Sequence, residues 1–169
     1  MPDNSTKLLR QFVSSASMDE IDHWISKYPP EERQSAVMST LRIVQEELGF
    51  LTPEFMDAVA NYLKMPAIAV YEVASFYSMY ECKPIGQNLI NVCTNISCKL
   101  CGSAEIVKHL EEKLAIKLGE TTTDGKYTLR AVECLGACVN APMMQINKKY
   151  YENLTNDKID TVLERYDEQ

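Results

Sequence analysis

Apolar positions recur at helical spacing through the first half of the chain. Met18, Ile21, Ile25 and Tyr28 stand on one helical face, with Ser17 placed to cap the turn and Pro29-Pro30 to stop it. Val37, Leu41, Val44 and Leu48 form a second stripe, in a segment that opens after Pro30 on Glu31-Glu32 and closes at Gly49. Acids suit the positive end of a helix, and glycine suits the residue past its last turn. Thr52-Pro53-Glu54 predicts a third helix through Leu63, and Pro66 opens a fourth through about Tyr77. After Lys83-Pro84-Ile85-Gly86 the period changes. Asn88 to Val92 is a short apolar run ending at Cys93, and Val107, Leu110, Leu114 and Leu118 make a helical stripe closed by Gly119. Asp124-Gly125 is a turn before a second strand, Tyr127 to Glu133, which ends at Cys134. Met143 to Asn147 and Tyr150-Tyr151 predict a closing pair of strands, and Thr155 caps a last helix with Ile159, Val162, Leu163 and Tyr166 on one face. The expected order of the second half is βαβββα, with no internal repeat.

Composition narrows the class. With 46% hydrophobic and 24% charged residues among 169, the chain is globular rather than disordered. No apolar stretch reaches the ~18 to 20 residues that span a bilayer: the best, Met65 to Tyr80, is broken by Pro66 and carries Glu72. The leading MPDNSTKLLRQF has neither the apolar core of a secretory signal nor the Arg-rich pattern of a transit peptide, so a reducing cytoplasm is expected. A net charge of −7 argues against binding a phosphate backbone. Residues 1–84 hold 7 Lys/Arg against 12 Asp/Glu, so the acidity is stronger in that half, and neither half is basic.

Six cysteines in a reducing compartment call for metal or redox chemistry before disulfides. All of them, at 82, 93, 98, 101, 134 and 138, lie after residue 81. Cys93 and Cys98 follow the first strand as C-x4-C, and Cys134 and Cys138 follow the second as C-x3-C. Two strands joined by a helix are normally parallel, so their C-terminal ends share one end of the sheet, with neighbours ~4.8 Å apart. Both pairs then converge, and four thiolates from two loops can cage a small cluster. Gly136-Ala137 keeps bulk away and leaves backbone N–H groups for its sulfurs. Cys98 near the start of a Ser103 to Leu118 helix is expected to gain thiolate character from the positive helix end.

Spacing alone leaves alternatives open. Cys93, Cys98 and Cys101 read C-x4-C-x2-C, the plant-type ferredoxin spacing with a distant fourth cysteine. Cys98-x2-Cys101 equally suits a thioredoxin-like dithiol or half of a zinc knuckle. Scattered buried cysteines suit Cys82 well and four cysteines at two strand ends poorly.

These motifs carry a resemblance. CTNISC, followed by ECLGACVNAPMMQIN, resembles the thioredoxin-like 2Fe-2S ferredoxin family, in its branch of small iron–sulfur subunits of NADH:quinone oxidoreductase, respiratory complex I. LRIVQEELGFLTPEFMDAVANYLKMPAIAVYEVASFYSMY is similar to the helical region that precedes the cluster domain there, so the match runs from about residue 17 to 165. The resemblance implies an α+β chain: an N-terminal helical docking region, 1–84, then a thioredoxin-like βαβββα domain, 85–169, carrying one 2Fe-2S cluster. It implies Cys93, Cys98, Cys134 and Cys138 as ligands of metal and cofactor, with Cys101 a bystander and no catalytic side chain. FMN and NADH are expected in a partner subunit docked mainly on the N-terminal helices, beside other peripheral-arm subunits, at the cytoplasmic face of a bacterial inner membrane. The same resemblance extends to diaphorase subunits of NAD-linked hydrogenases and formate dehydrogenases.

The remaining residues add less. His23 and His109 are isolated from the cysteines, which disfavours a His2Cys2 site. Ala141-Pro142 precedes a strand as the cis-proline of thioredoxin folds does. Tyr71, Phe76, Tyr77, Met79 and Tyr80 suit a partner interface or plain core packing, and Lys148-Lys149 a solvated turn. No glycine-rich nucleotide loop is present, so nothing points to NADH, flavin or quinone binding by this chain.

Overall fold

Caps and stops set the helices. The structure, a computed structural model, describes residues 9–168, so the reading of the leading segment lies, for 1–8, outside the described residues. After a helical turn over 9–12, α1 runs Ser15–Ile25. Its cap is Ser14 rather than Ser17: the Ser14 hydroxyl accepts from the Ser17 N–H, so Ser17 is already inside the first turn. The stretch after Pro29 is a 3-10 helix, Pro30–Ala36, before the regular α2, Val37–Leu48, begins. Gly49, at φ 89°, ends α2 where a side chain would be strained. The Thr52 hydroxyl accepts from Phe55 N–H and Pro53 presets the first turn of α3, Pro53–Leu63; α4 follows as Ala67–Phe76.

By contact the chain divides into two compact units, Met1–Pro84 and Ile85–Gln169. In the first, Leu41, Val44, Val59, Leu63 and Val70 are fully buried and form its core with Ile21 and Leu51. Each such residue contributes about 1.5–3 kcal/mol by leaving water. Helix α4 is apolar round most of its circumference, yet it buries only Val70 and Ala74, leaving Ile68 and Phe76 exposed, with Tyr77 and Met79 exposed just beyond.

The second unit is built on a four-stranded mixed sheet of order β2-β1-β3-β4, comprising β1 Asn88–Cys93, β2 Tyr127–Val132, β3 Met144–Ile146 and β4 Lys149–Tyr151. Strands β1 and β2 are parallel neighbours, with Asn88 opposite Tyr127 and Cys93 opposite Val132, while β1–β3 and β3–β4 are antiparallel. Helices α5, Ile96–Leu100, and α6, Ser103–Leu114, connect the parallel pair, and α7, Asn156–Asp167, closes the chain. Ile106 and Leu110 of α6 and Ile159, Val162 and Leu163 of α7 pack with Ile90, Val92, Leu129, Met144 and Ile146 of the sheet.

The second unit also differs from the sequence reading in several details. Helix α6 stops before Leu118: Ala115 turns left-handed at φ 54°, and Gly119 N–H donates to Leu129 O at 2.7 Å, drawing the chain toward β2. Helix α5 is additional, and Glu133 lies past the end of β2. Lys149 begins β4 and sets its ammonium over the Tyr151 ring, so only Lys148 of that pair is in the turn.

Gly86 sits where the chain passes the start of β2. A Cβ there would meet Tyr127 C at 2.9 Å, Gly125 O at 3.0 Å and Thr128 N at 3.1 Å, all backbone atoms. Gly86→Ala is expected to destabilise the second unit by about 1–3 kcal/mol, seen as a lower thermal midpoint. An unchanged midpoint would show that β2 yields at no cost.

Candidate metal centre

The parallel β1–β2 pair decides where the cysteines go. Cys93 is the last residue of β1, opposite Val132, and Cys134 comes two residues past Val132 on the neighbouring strand. The two chain segments stay tied as they leave the sheet: Thr94 N–H donates to Val132 O at 2.9 Å, and the Asn95 amide to Glu133 Oε2 at 3.3 Å. Asn95 also caps α5, its side-chain oxygen accepting from Ile96 N–H at 2.8 Å. That short helix brings Cys98 back onto Cys93.

Cys93 and Cys98 are both buried and pack with Met143, while Leu135, Ala137 and Ala141 lie against them. Residues inside the C-x3-C loop therefore pack against the cluster that holds the C-x4-C cysteines. The Cys93 thiol donates to Glu133 O at 3.2 Å, and Cys93 N–H donates to Met143 O at 3.2 Å. Burial pushes the Cys98 thiol up to about 11, and its hydrogen bond with Cys93 and the charges of Cys93 and Cys138 act the same way; a backbone bond at Met143 opposes them. This corrects the expectation of thiolate character from a helix end. Cys98 lies inside α5, before α6 begins, and loss of water is the largest influence on it.

Cys134 and Cys138 are exposed, and Cys138 opens a short 3-10 turn, Cys138–Asn140, before the cis Ala141-Pro142 peptide. Gly136 between them has φ 83°, and nothing lies within 4 Å of where its Cβ would be. Among the described residues no three His, Cys, Asp or Glu side chains are gathered closely enough to hold a metal ion. The structure thus brings Cys93 and Cys98 together and leaves Cys134 and Cys138 exposed on the neighbouring loop.

The other cysteines go elsewhere. Exposed Cys101 opens on a cleft of about 330 Å³ lined by Gly102, Pro142, Leu154 and Thr155 among others, none of them another cysteine. Cys82, in the first unit, donates to Ala74 O at 3.7 Å. His109 is taken up by Asp160 at 2.8 Å. Three apolar side chains flank the cysteines in sequence and are exposed: Ile96, Leu100 and Val139, the last at 97%. Sequence reasoning missed Asn95, whose place before Ile-Ser-Cys is a readable cap signal, and Tyr150, whose hydroxyl donates to Leu135 O at 2.8 Å.

A model of thioredoxin-like 2Fe-2S ferredoxins matches residues 21–167, both cysteine loops included. The chain belongs to that family. Relatives of known name include the NADH-quinone oxidoreductase E subunit of Rickettsia prowazekii, 50% identical over 84% of this chain and 81% of the relative. Its counterpart in Rickettsia bellii is 43% identical over 95% of this chain and 97% of its own length. The second such protein of Rhizobium meliloti is 43% identical over 88% of this chain and 87% of the relative. Among solved structures, an NAD+-reducing NiFe hydrogenase in the H2-reduced state superposes with TM-score 0.68 over 79% of this chain at 22% identity, a likeness of fold. This chain spans only 22% of that hydrogenase chain. The group the family implies is a 2Fe-2S cluster, and thiols are the donors it takes: Cys93 and Cys98 are gathered past the end of β1, and Cys134 and Cys138 lie on the loop that follows the neighbouring parallel strand.

Proposed function

We propose that this chain is the electron-carrying subunit of the NADH-oxidising module of an NADH:quinone oxidoreductase, and that Cys93, Cys98, Cys134 and Cys138 hold its 2Fe-2S cluster. The observation that carries the assignment is the packing of Leu135 and Ala137, from the second cysteine loop, on the buried Cys93–Cys98 pair of the first. When bound, the cluster accepts and returns one electron at a time. The chain's own residues supply everything around it. Cys93 and Cys98 would hold the cluster from the buried side, and Cys134 and Cys138 from the exposed C-x3-C loop. Met143, Leu135 and Ala141 exclude water from the buried side, and Gly136 leaves room for backbone N–H groups.

The relatives' shared name supports the complex, at 43–50% identity along most of both chains. A thiol–disulfide enzyme using Cys98 and Cys101 is disfavoured because the first thiol is buried against Cys93 and the second faces a different cleft. The partner holds the flavin and the NADH site. It docks on the helical unit, where Ile68, Phe76 and Met79 offer apolar surface within an acidic half-chain. Ile96, Leu100 and Val139 give the cysteine site an apolar rim for close approach. The assembly sits at the cytoplasmic face of the membrane; among the described residues no helix is long and apolar enough to cross it.

The test is rapid mixing of the iron-loaded chain, together with its flavin-binding partner, with NADH. The expected result is reduction of the iron–sulfur signal within the turnover time, and none when the partner is omitted. A cluster that stays oxidised while the partner's flavin turns over would refute the role.

A further inference from the structure

The C-x3-C loop carries two of the four proposed ligands on irregular backbone, so something must fix its shape. Its leading end is tied to β1 through Thr94 and Asn95. Its trailing end is tied to the segment after β4: the Asn140 amide donates to Glu152 Oε2 at 2.8 Å, and Asn153 N–H donates to Asn140 O at 2.7 Å. The middle is held from two directions. Leu135 packs against the cluster formed by Cys93, Cys98 and Met143, while its carbonyl accepts the Tyr150 hydroxyl at 2.8 Å. Tyr150 comes from β4, opposite Gln145 of β3, and its ring is nearly half exposed, so little apolar burial rewards that pose. The hydroxyl bond is what the residue contributes.

The Leu135 carbonyl belongs to the same peptide as the Gly136 N–H. A carbonyl that accepts a hydrogen bond polarises its peptide, and the N–H on the far side becomes the stronger donor. Gly136 adopts φ 83° and has open space where a side chain would stand, so no side chain of its own crowds this peptide. Donors to cluster sulfurs raise the reduction potential.

We propose that Tyr150 is a positioning residue for the metal centre: its hydroxyl locks the Leu135–Gly136 peptide and so sets both the reach of Cys134 and Cys138 and the donor strength of the Gly136 amide. This rests on the reading that the four cysteines hold the cluster. It adds a residue some dozen positions beyond the ligand motif, on a different strand.

The experiment compares Tyr150→Phe with Tyr151→Phe in the full chain. The Tyr151 hydroxyl meets that of Tyr166 at 3.1 Å, so its loss loosens α7 without touching the loop. In the iron-loaded chain, Tyr150→Phe is expected to move the reduction midpoint to more negative potential, and to release iron to a chelator roughly fivefold faster, the size of one lost neutral hydrogen bond. In the metal-free chain, amide exchange over 135–138 should quicken. Tyr151→Phe should change none of these. An unchanged midpoint together with unchanged loop exchange in Tyr150→Phe would overturn the proposal, as would equal changes in Tyr151→Phe. If the unaltered chain binds no iron, the ligand assignment fails, while exchange in the metal-free pair still decides whether Tyr150 holds the loop.

Discussion

Cys138→Ser is expected to lose or grossly alter the visible absorption and the low-temperature EPR signal of the reduced centre, whereas Cys101→Ser leaves both unchanged. Each residue closes a short cysteine spacing, C-x2-C from Cys98 to Cys101 and C-x3-C from Cys134 to Cys138, and spacing alone leaves both open as ligands. Their surroundings separate them. Cys138 follows Ala137, which packs against the cluster of Cys93, Cys98 and Met143. Cys101 ends α5 and faces the cleft lined by Pro142, Leu154 and Thr155. An oxygen ligand in place of one thiolate changes the charge and covalency of the iron, so the effect on the signal is near total. The reverse pattern would move the site to the C-x4-C-x2-C set.

A chain beginning at Ile85 is expected to keep the cluster and to lose stable association with the flavin-binding partner. The second unit has its own core, centred on Ile90, Leu129, Met144 and Ile159, and all four proposed ligands lie within it. The first unit has a separate core and carries the open apolar surface at Ile68, Phe76 and Met79. Copurification from cells expressing the partner measures the association, and EPR measures the cluster. Undiminished association of the shortened chain would assign docking to the second unit instead.

Much of this was legible in the residues, for physical reasons that can be named. The helical stripes at Met18–Ile25 and Val37–Leu48 are long enough for periodicity to speak, and each has a chemical stop. The parallel pairing of β1 and β2 follows from a helix between two strands, and it alone places both cysteine loops at one sheet end. Helix α5 was not legible, because five residues carry no period; only its cap, Asn95, is a signal. The stop of α6 at Ala115 was hidden as well, since a left-handed alanine is imposed by the bond from Gly119 to β2 rather than by local preference. Burial raises the Cys98 thiol, where nearness to a helix end alone predicts thiolate character. A helix end is visible in sequence, but the packing of Met143 and Leu135 over a thiol is not. Tyr150 belongs to the same class: its reach from an edge strand to Leu135 is a tertiary fact.

The measurement closest to the central claim is an anaerobic redox titration of the purified full chain, followed by EPR, with iron, acid-labile sulfide and zinc counted in the same sample. The expected result is a coloured protein with iron and sulfide in equal amounts, no zinc, and a single one-electron reduction that gives a half-integer-spin signal. A colourless chain that carries zinc, or no metal at all, would contradict it.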